Sequence, residues 1–171
     1  MKSISSCKPK SNAFVLAGFL FVVLFLVGPV SAQSPDKEIV IPGDSGLKWV
    51  NTGITVVAGD TVRLDAKGEV DVGGSWGIHG PEGTTKFSEQ PPGYYPVESK
   101  MRYGLAARIT LGSGRKYQQT QVWTYGQAKE MRVTRSGILW LTINDDAPDG
   151  NTGEFVVQIT IVKKKKIIKK H

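Results

Sequence analysis

The sequence of 171 residues has one cysteine, Cys7, and it lies in the first dozen residues. The rest of the chain must fold without disulfides, which suits a bacterial periplasm or exterior better than a small disulfide-stapled scaffold. There are two histidines, His79 and the C-terminal His171, and no His/Cys cluster. Zinc and iron centres built on those ligands are therefore not expected. No stretch repeats its apolar residues with the period of an amphipathic helix of ordinary length. One long apolar run exists, "AFVLAGFLFVVLFLV" from Ala13 to Val27, and it is short of the ~20 residues of a spanning helix.

That run has a recognisable context. Lys2, Lys8 and Lys10 precede it with no acid among residues 1–12, and "GPVSA" follows, ending in small residues at Ser31 and Ala32. A basic start, an apolar middle and a small-residue end describe a secretory signal peptide over residues 1–32, with an uncleaved anchor as the alternative. The expected mature start is Gln33, and the expected location is secreted or periplasmic.

Positive charge is scarce where it would matter for nucleic acid. Of the 22 Lys and Arg, three lie in residues 1–12 and six in the tail 163–171, "KKKKIIKKH". The 13 that remain face all 15 Asp and Glu. The body is near neutral, and no nucleic-acid partner is expected. The Lys-rich tail reads either as a solvated appendage or as a contact to an anionic surface. Residues 33–162 suffice for one domain that buries about two thirds of its unfolded surface.

Within that domain the pattern has period two. "KEIVIP", "LKWVNTGITV", "DTVRLDAKGEV", "GLAARITL", "KYQQTQVWTY", "AKEMRVTR", "GILWLTIN" and "GEFVVQITIV" read as strands, separated by Gly-rich turn signals. The expected fold is all-β, a small antiparallel β-sandwich or jelly roll. Residues 73–100 are rich in Gly and Pro and predict no strand. They carry Trp76, His79, Tyr94 and Tyr95. Long loops in compact domains are often functional, and Trp76 and Tyr94 are candidates for a binding rim. Tyr95 is expected to fold back over the end of the sandwich.

Two chemical patterns stand out. "GGSWG", residues 73–77, matches G-x-S-x-G with Ser75 as the nucleophile, but that elbow requires a strand, a sharp turn and a helix. "IHGPEG" follows instead, which excludes the helix and leaves a turn. The second is "LTINDDAPDGNTGEF", residues 141–155. Asn144, Asp145, Asp146, Asp149 and Asn151 place oxygen donors close together, the donor type that hard cations such as Ca²⁺ take six to eight at a time. It is no EF-hand: counted from Asp145, Ala147 and Val156 fall where ligands belong. The competing reading is a hairpin that uses Asp and Asn for turn geometry.

The order of landmarks resembles the PA-I galactophilic lectin family. "WVNTGITVVAGDTVRLDAKGEV", "GPEG" at residues 80–83, "YGLAARI", and "SGILWLTIND" followed by "NTGEF" stand in the family's order over roughly residues 47–162. The resemblance implies a small jelly roll that is galactose-binding-like. It also implies a Ca²⁺ at the ND…NTG loop that bridges to two sugar hydroxyls. Carried over by position, Asp145 and Asn151 are ligands through their side chains, and Val72 marks the backbone carbonyl ligand. Gly150 stands where the family has a second amide, and Asp149 is the expected substitute. The family's sugar-contacting His and Gln have no direct match; Phe87 falls near the first, and Gln90 is the candidate for the second. The expected carbohydrate-binding set is thus Asp145, Asn151, Trp76, Tyr94 and Gln90. The implied function is a secreted, non-catalytic, Ca²⁺-dependent carbohydrate-binding domain. Its competitor is an envelope interaction module that keeps the fold without the sugar.

Overall fold

The computed structural model describes residues 33–46, 48–86, 95–98, 101–111 and 118–165. The proposed signal peptide, Phe87, Gln90, Tyr94 and the end of the tail lie outside them. Among the described residues nine strands follow one another: β1 Lys37–Pro42, β2 Val50–Val56, β3 Thr61–Asp71, β4 Ile78–His79, β5 Leu105–Leu111, β6 Gln118–Thr124, β7 Glu130–Arg132, β8 Gly137–Ile143 and β9 Thr152–Val162. Among the described residues there is no α-helix, only a short 3₁₀ turn at Gly43–Ser45.

The strands form two antiparallel sheets. One runs β1-β9-β3-β4, with β7 also on β3, and the other β2-β8-β5-β6. The sandwich expected from the alternating pattern is the architecture found. In β3, Val62, Leu64 and Val70 point inward, and in β9, Phe155, Val157, Ile159 and Ile161 do the same. Across from them stand Leu105, Ala107 and Ile109 of β5 and Leu139, Leu141 and Ile143 of β8. Burying each large aliphatic side chain is worth about 1.5–3 kcal/mol, so these facing rows dominate the stability of the sandwich.

The second sheet is buried on its outer face as well. Arg108 lies over the ring of Trp49 at 4.3 Å and near Trp140 at 5.5 Å, and Trp140 Nε1 donates to Thr110 Oγ1. Period-two alternation is therefore blurred in β5 and β8. Two expectations need correction. "AKEMRVTR" yields only the three residues of β7, pinned against Thr61–Arg63. Residues 73–100 do hold a strand: Ile78 and His79 pair with Asp71 and Val70, and Thr84 bridges to Arg102. The pairing is too short to leave a period in the sequence.

Two long strands position everything else. β3 and β9 pair from Thr61↔Val162 to Asp71↔Thr152. One end of the sandwich thus collects the chain after Asp71 and before Thr152. The other collects the chain before Thr61 and after Val162.

Candidate functional site

At the Asp71/Thr152 end, a cleft of about 250 Å³ opens between loops. Val72 follows β3 directly and lines one side, together with Trp76. The "GGSWG" segment between them is a tight hairpin loop: Val72 N donates to Gly77 O, and Trp76 N and Gly77 N donate to Gly73 O. Gly73, Gly74 and Gly77 all have positive φ, which glycine adopts without penalty. Ser75 is exposed in this turn, and β4 follows rather than a helix.

The opposite side belongs to the loop after β8. Asp145 is 3% exposed. Its Oδ1 accepts from Ala147 N at 3.0 Å, an Asx turn. Its Oδ2 accepts from Asn151 Nδ2 at 2.6 Å, and the same amide donates to Gly43 O at 3.1 Å. Asn151 N closes a turn onto Pro148 O, with Gly150 at φ +91°. The 3₁₀ turn braces this loop from behind, where the Thr142 hydroxyl reaches the carbonyls of Ser45 and Gly46.

The five oxygen-rich residues of this loop divide into different tasks. Asp145 and Asp146 line the cleft. Asn151 is half-buried beside Asp145. Asn144 is fully buried, where its Oδ1 accepts from Val97 N and its Nδ2 donates to Met101 O. It fastens loops and offers nothing to the cleft. Asp149, expected as the substitute ligand, is exposed and does not line the cleft. Asp146 lines it instead. The second acid of "NDD" faces inward, while the "PDG" turn leaves Asp149 exposed.

The floor is aromatic, and sequence patterns missed its centre. Tyr103 is 4% exposed and has φ +60°, the only non-glycine residue with positive φ among those described. Such strain persists only where surroundings enforce it. Here Tyr103 N donates to Asn144 O, and Asn144 N donates to Gly104 O. The Tyr103 ring stacks on His79 at 5.0 Å and 23°, and meets Trp76 at 6.2 Å and 52°. Tyr95 meets it edge-on, with ring centres 6.4 Å apart at 66°. Tyr95 is buried, as expected, with the Arg102 guanidinium 3.6 Å from its ring centre. The one sequence signal for Tyr103 was its place before Gly104 at the start of a strand.

Electrostatics make the cleft unusual. Burial, and then the neighbouring Asp145 charge, raise the Asp146 carboxyl above the ordinary carboxylate value. Burial likewise raises the hydroxyls of Tyr95 and Tyr103. Two neighbouring carboxylates that line one shielded cleft favour either a shared proton or a cation. Among the described residues, no three of His, Cys, Asp and Glu converge. The donors present are carboxylate, amide and carbonyl oxygen, which fit a hard cation such as Ca²⁺ rather than zinc. Asp145, Asp146, the Val72 carbonyl and the Asn151 amide oxygen are the groups that would hold it. For Asn151 this requires the amide to turn, since its nitrogen now faces Asp145.

No protein-family model matches the chain, and no curated protein matches it. Among solved structures, it resembles one described as the EclA N-terminal domain, a PllA-like lectin. The TM-score is 0.53 at 20% identity, over 76% of this chain and 99% of that one. At that identity the likeness establishes the lectin-type fold.

Proposed function

We propose that this protein is an exported, Ca²⁺-dependent carbohydrate-binding module without catalytic activity. The observation that carries the proposal is the one cleft that Asp145 and Asp146 line together with Trp76 and Tyr103. Carboxylates with a bound cation orient vicinal hydroxyls, and an aromatic ring packs against the apolar face of a pyranoside. The fold it shares with a lectin domain supports the same reading. Calcium supplies the charge that sugar hydroxyls complete. Asp145, Asp146, Asn151 and Val72 hold the ion, and Trp76 and Tyr103 select rings with an open apolar face. Galactose is the first sugar to test, because the landmark order resembles galactophilic lectins. The Lys-rich tail adds a second contact, to an anionic surface.

One observation favours the other reading, a module that keeps the fold without the sugar. Asn151 already satisfies Asp145 and Gly43 with its own amide, so the loop closes on itself as a turn. A glycan array probed in Ca²⁺ and again in EDTA separates the two. The proposal expects pyranosides bound only in Ca²⁺, and the competing reading expects none in either.

A further inference from the structure

Among the described residues one sheet ends on β1 and on β4 with β7, and the other on β2 and β6. An open edge offers backbone N–H and C=O groups to any strand that reaches it, and folded chains blunt such edges. β4 has two residues and β7 three, too few to template a partner. β2 is broken by a register shift between Asn51 and Thr55, with Gly53 at φ +72°. Lys37 Nζ also donates to its Thr52 carbonyl at 2.7 Å. β6 is engaged at Gln121, whose side chain accepts from Thr134 N and donates to Arg132 O.

β1 is the exception. Its pairing with β9 runs unbroken from Lys37↔Ile159 to Pro42↔Glu154, and among the described residues no other strand reaches it. The groups that could guard this edge are occupied or terminal. Lys37 is turned across to β2, Glu38 accepts from Gln158 of β9, and Pro42 ends the strand. Between them stands Val40, an apolar side chain 45% exposed.

We infer that a second copy of this chain pairs with β1, antiparallel, about a two-fold axis at Val40. The strand is complementary to itself in that register. Residues opposite one another in a ladder point to the same face. Centring on Val40 sets Val40 against Val40 of the second copy, Ile39 against Ile41, and Glu38 against Pro42. The exposed valine is covered by a valine, and the row Val156–Val40 runs on into the same row of the second copy. The two Glu38 carboxylates stand at opposite ends of the contact. Centring on Glu38 would bring them face to face, which destabilises a strand pair. The pairing needs neither calcium nor sugar, but it arranges the clefts. Pro42 lies opposite Glu154, near the cleft end at Thr152, so reversing β1 points the two clefts in opposite directions. On the proposed function, such a dimer links ligands on two surfaces instead of gripping one.

The test is sedimentation velocity of the protein as exported, in EDTA, from low micromolar to near-millimolar concentration. The expected result is a shift from monomer to dimer across that range. Val40→Lys and Val40→Glu each put like charges face to face at the axis, and each is expected to weaken the dimer at least about tenfold. Val40 is exposed, so both variants are expected to melt as the parent does. An equimolar mixture of the two sets Lys against Glu and is expected to restore the dimer to within about threefold of the parent. Only a residue that meets its own copy gives that rescue. A monomer at every concentration overturns the inference. So does a dimer that neither charge weakens, or a mixture that associates no more tightly than the variants alone.

Discussion

Asp145 and Asp146 stand side by side in the sequence, yet the fold gives them different surroundings. Asp145 is spent on the loop itself, accepting from Ala147 and Asn151. Asp146 faces the cleft with its carboxyl raised by burial and by its neighbour. A raised folded value means that the folded state keeps its proton to higher pH than the unfolded chain does. Its stabilising contribution is complete at acid pH and is lost as the pH rises through the raised value. A cation reverses the preference, since it holds the deprotonated form. Calcium affinity measured by calorimetry is therefore expected to fall as the pH drops through the Asp146 value. Asp146→Asn should weaken Ca²⁺ at least tenfold, whereas exposed Asp149→Asn should change it less than about twofold. A large loss at Asp149 alone would restore it as the ligand.

Asp60 shows the opposite sign. Burial pushes its carboxyl up, but Lys163 and the N–H groups of Val57 and Lys164 more than offset this and hold it below its ordinary value. Its stabilisation is present above the ordinary carboxylate range and is lost as the pH falls through the lowered value. Lys163 is 65% exposed, so the ion pair itself contributes little. The part-buried N–H donations from Val57 and Lys164 add to it. Asp60→Ala is expected to cost about 1–3 kcal/mol in urea denaturation at neutral pH, with the deficit shrinking in acid.

At the scale of elements, the β3–β9 ladder runs unbroken past two glycines. Gly68 sits opposite Phe155 and Gly153 opposite Val70, and both have positive φ. A Cβ on Gly68 would meet the Glu154 carbonyl, and one on Gly153 the Glu69 carbonyl. Gly68→Ala and Gly153→Ala should each destabilise by more than about 1 kcal/mol, read as a lower urea midpoint at unchanged slope. The longer strands were legible in the sequence because one face of each meets a core. β4 was not legible, because two residues have no period. β7 was overcalled, because its alternation outruns the partner available at Thr61–Arg63. In the site, Asp145 and Val72 came from the landmark order, and Trp76 from the aromatic residues of the long Gly- and Pro-rich loop; all three line the cleft. Tyr103 was missed because its role comes from a backbone conformation that Asn144 and Gly104 enforce, and Asp149 was expected at the cleft that Asp146 lines.

At the scale of the whole molecule, the two ends of the sandwich carry different side chains. Acids and aromatic rings gather at one, and cations and exposed valines at the other. A cation that binds the native state alone stabilises it by about 2.7 kcal/mol at a hundredfold excess over Kd. Thermal melting is therefore expected to rise in millimolar Ca²⁺ and return in EDTA. The central claim is that the ion and the sugar share the cleft. Calorimetric titration of galactose, mannose and fucose into the Ca²⁺-loaded protein, repeated in EDTA, tests it most directly. The account predicts saturable heat from at least one sugar in Ca²⁺, none in EDTA, and a loss of at least tenfold in affinity for Trp76→Ala. Calcium binding without heat from any sugar, or sugar binding that survives EDTA, would contradict it.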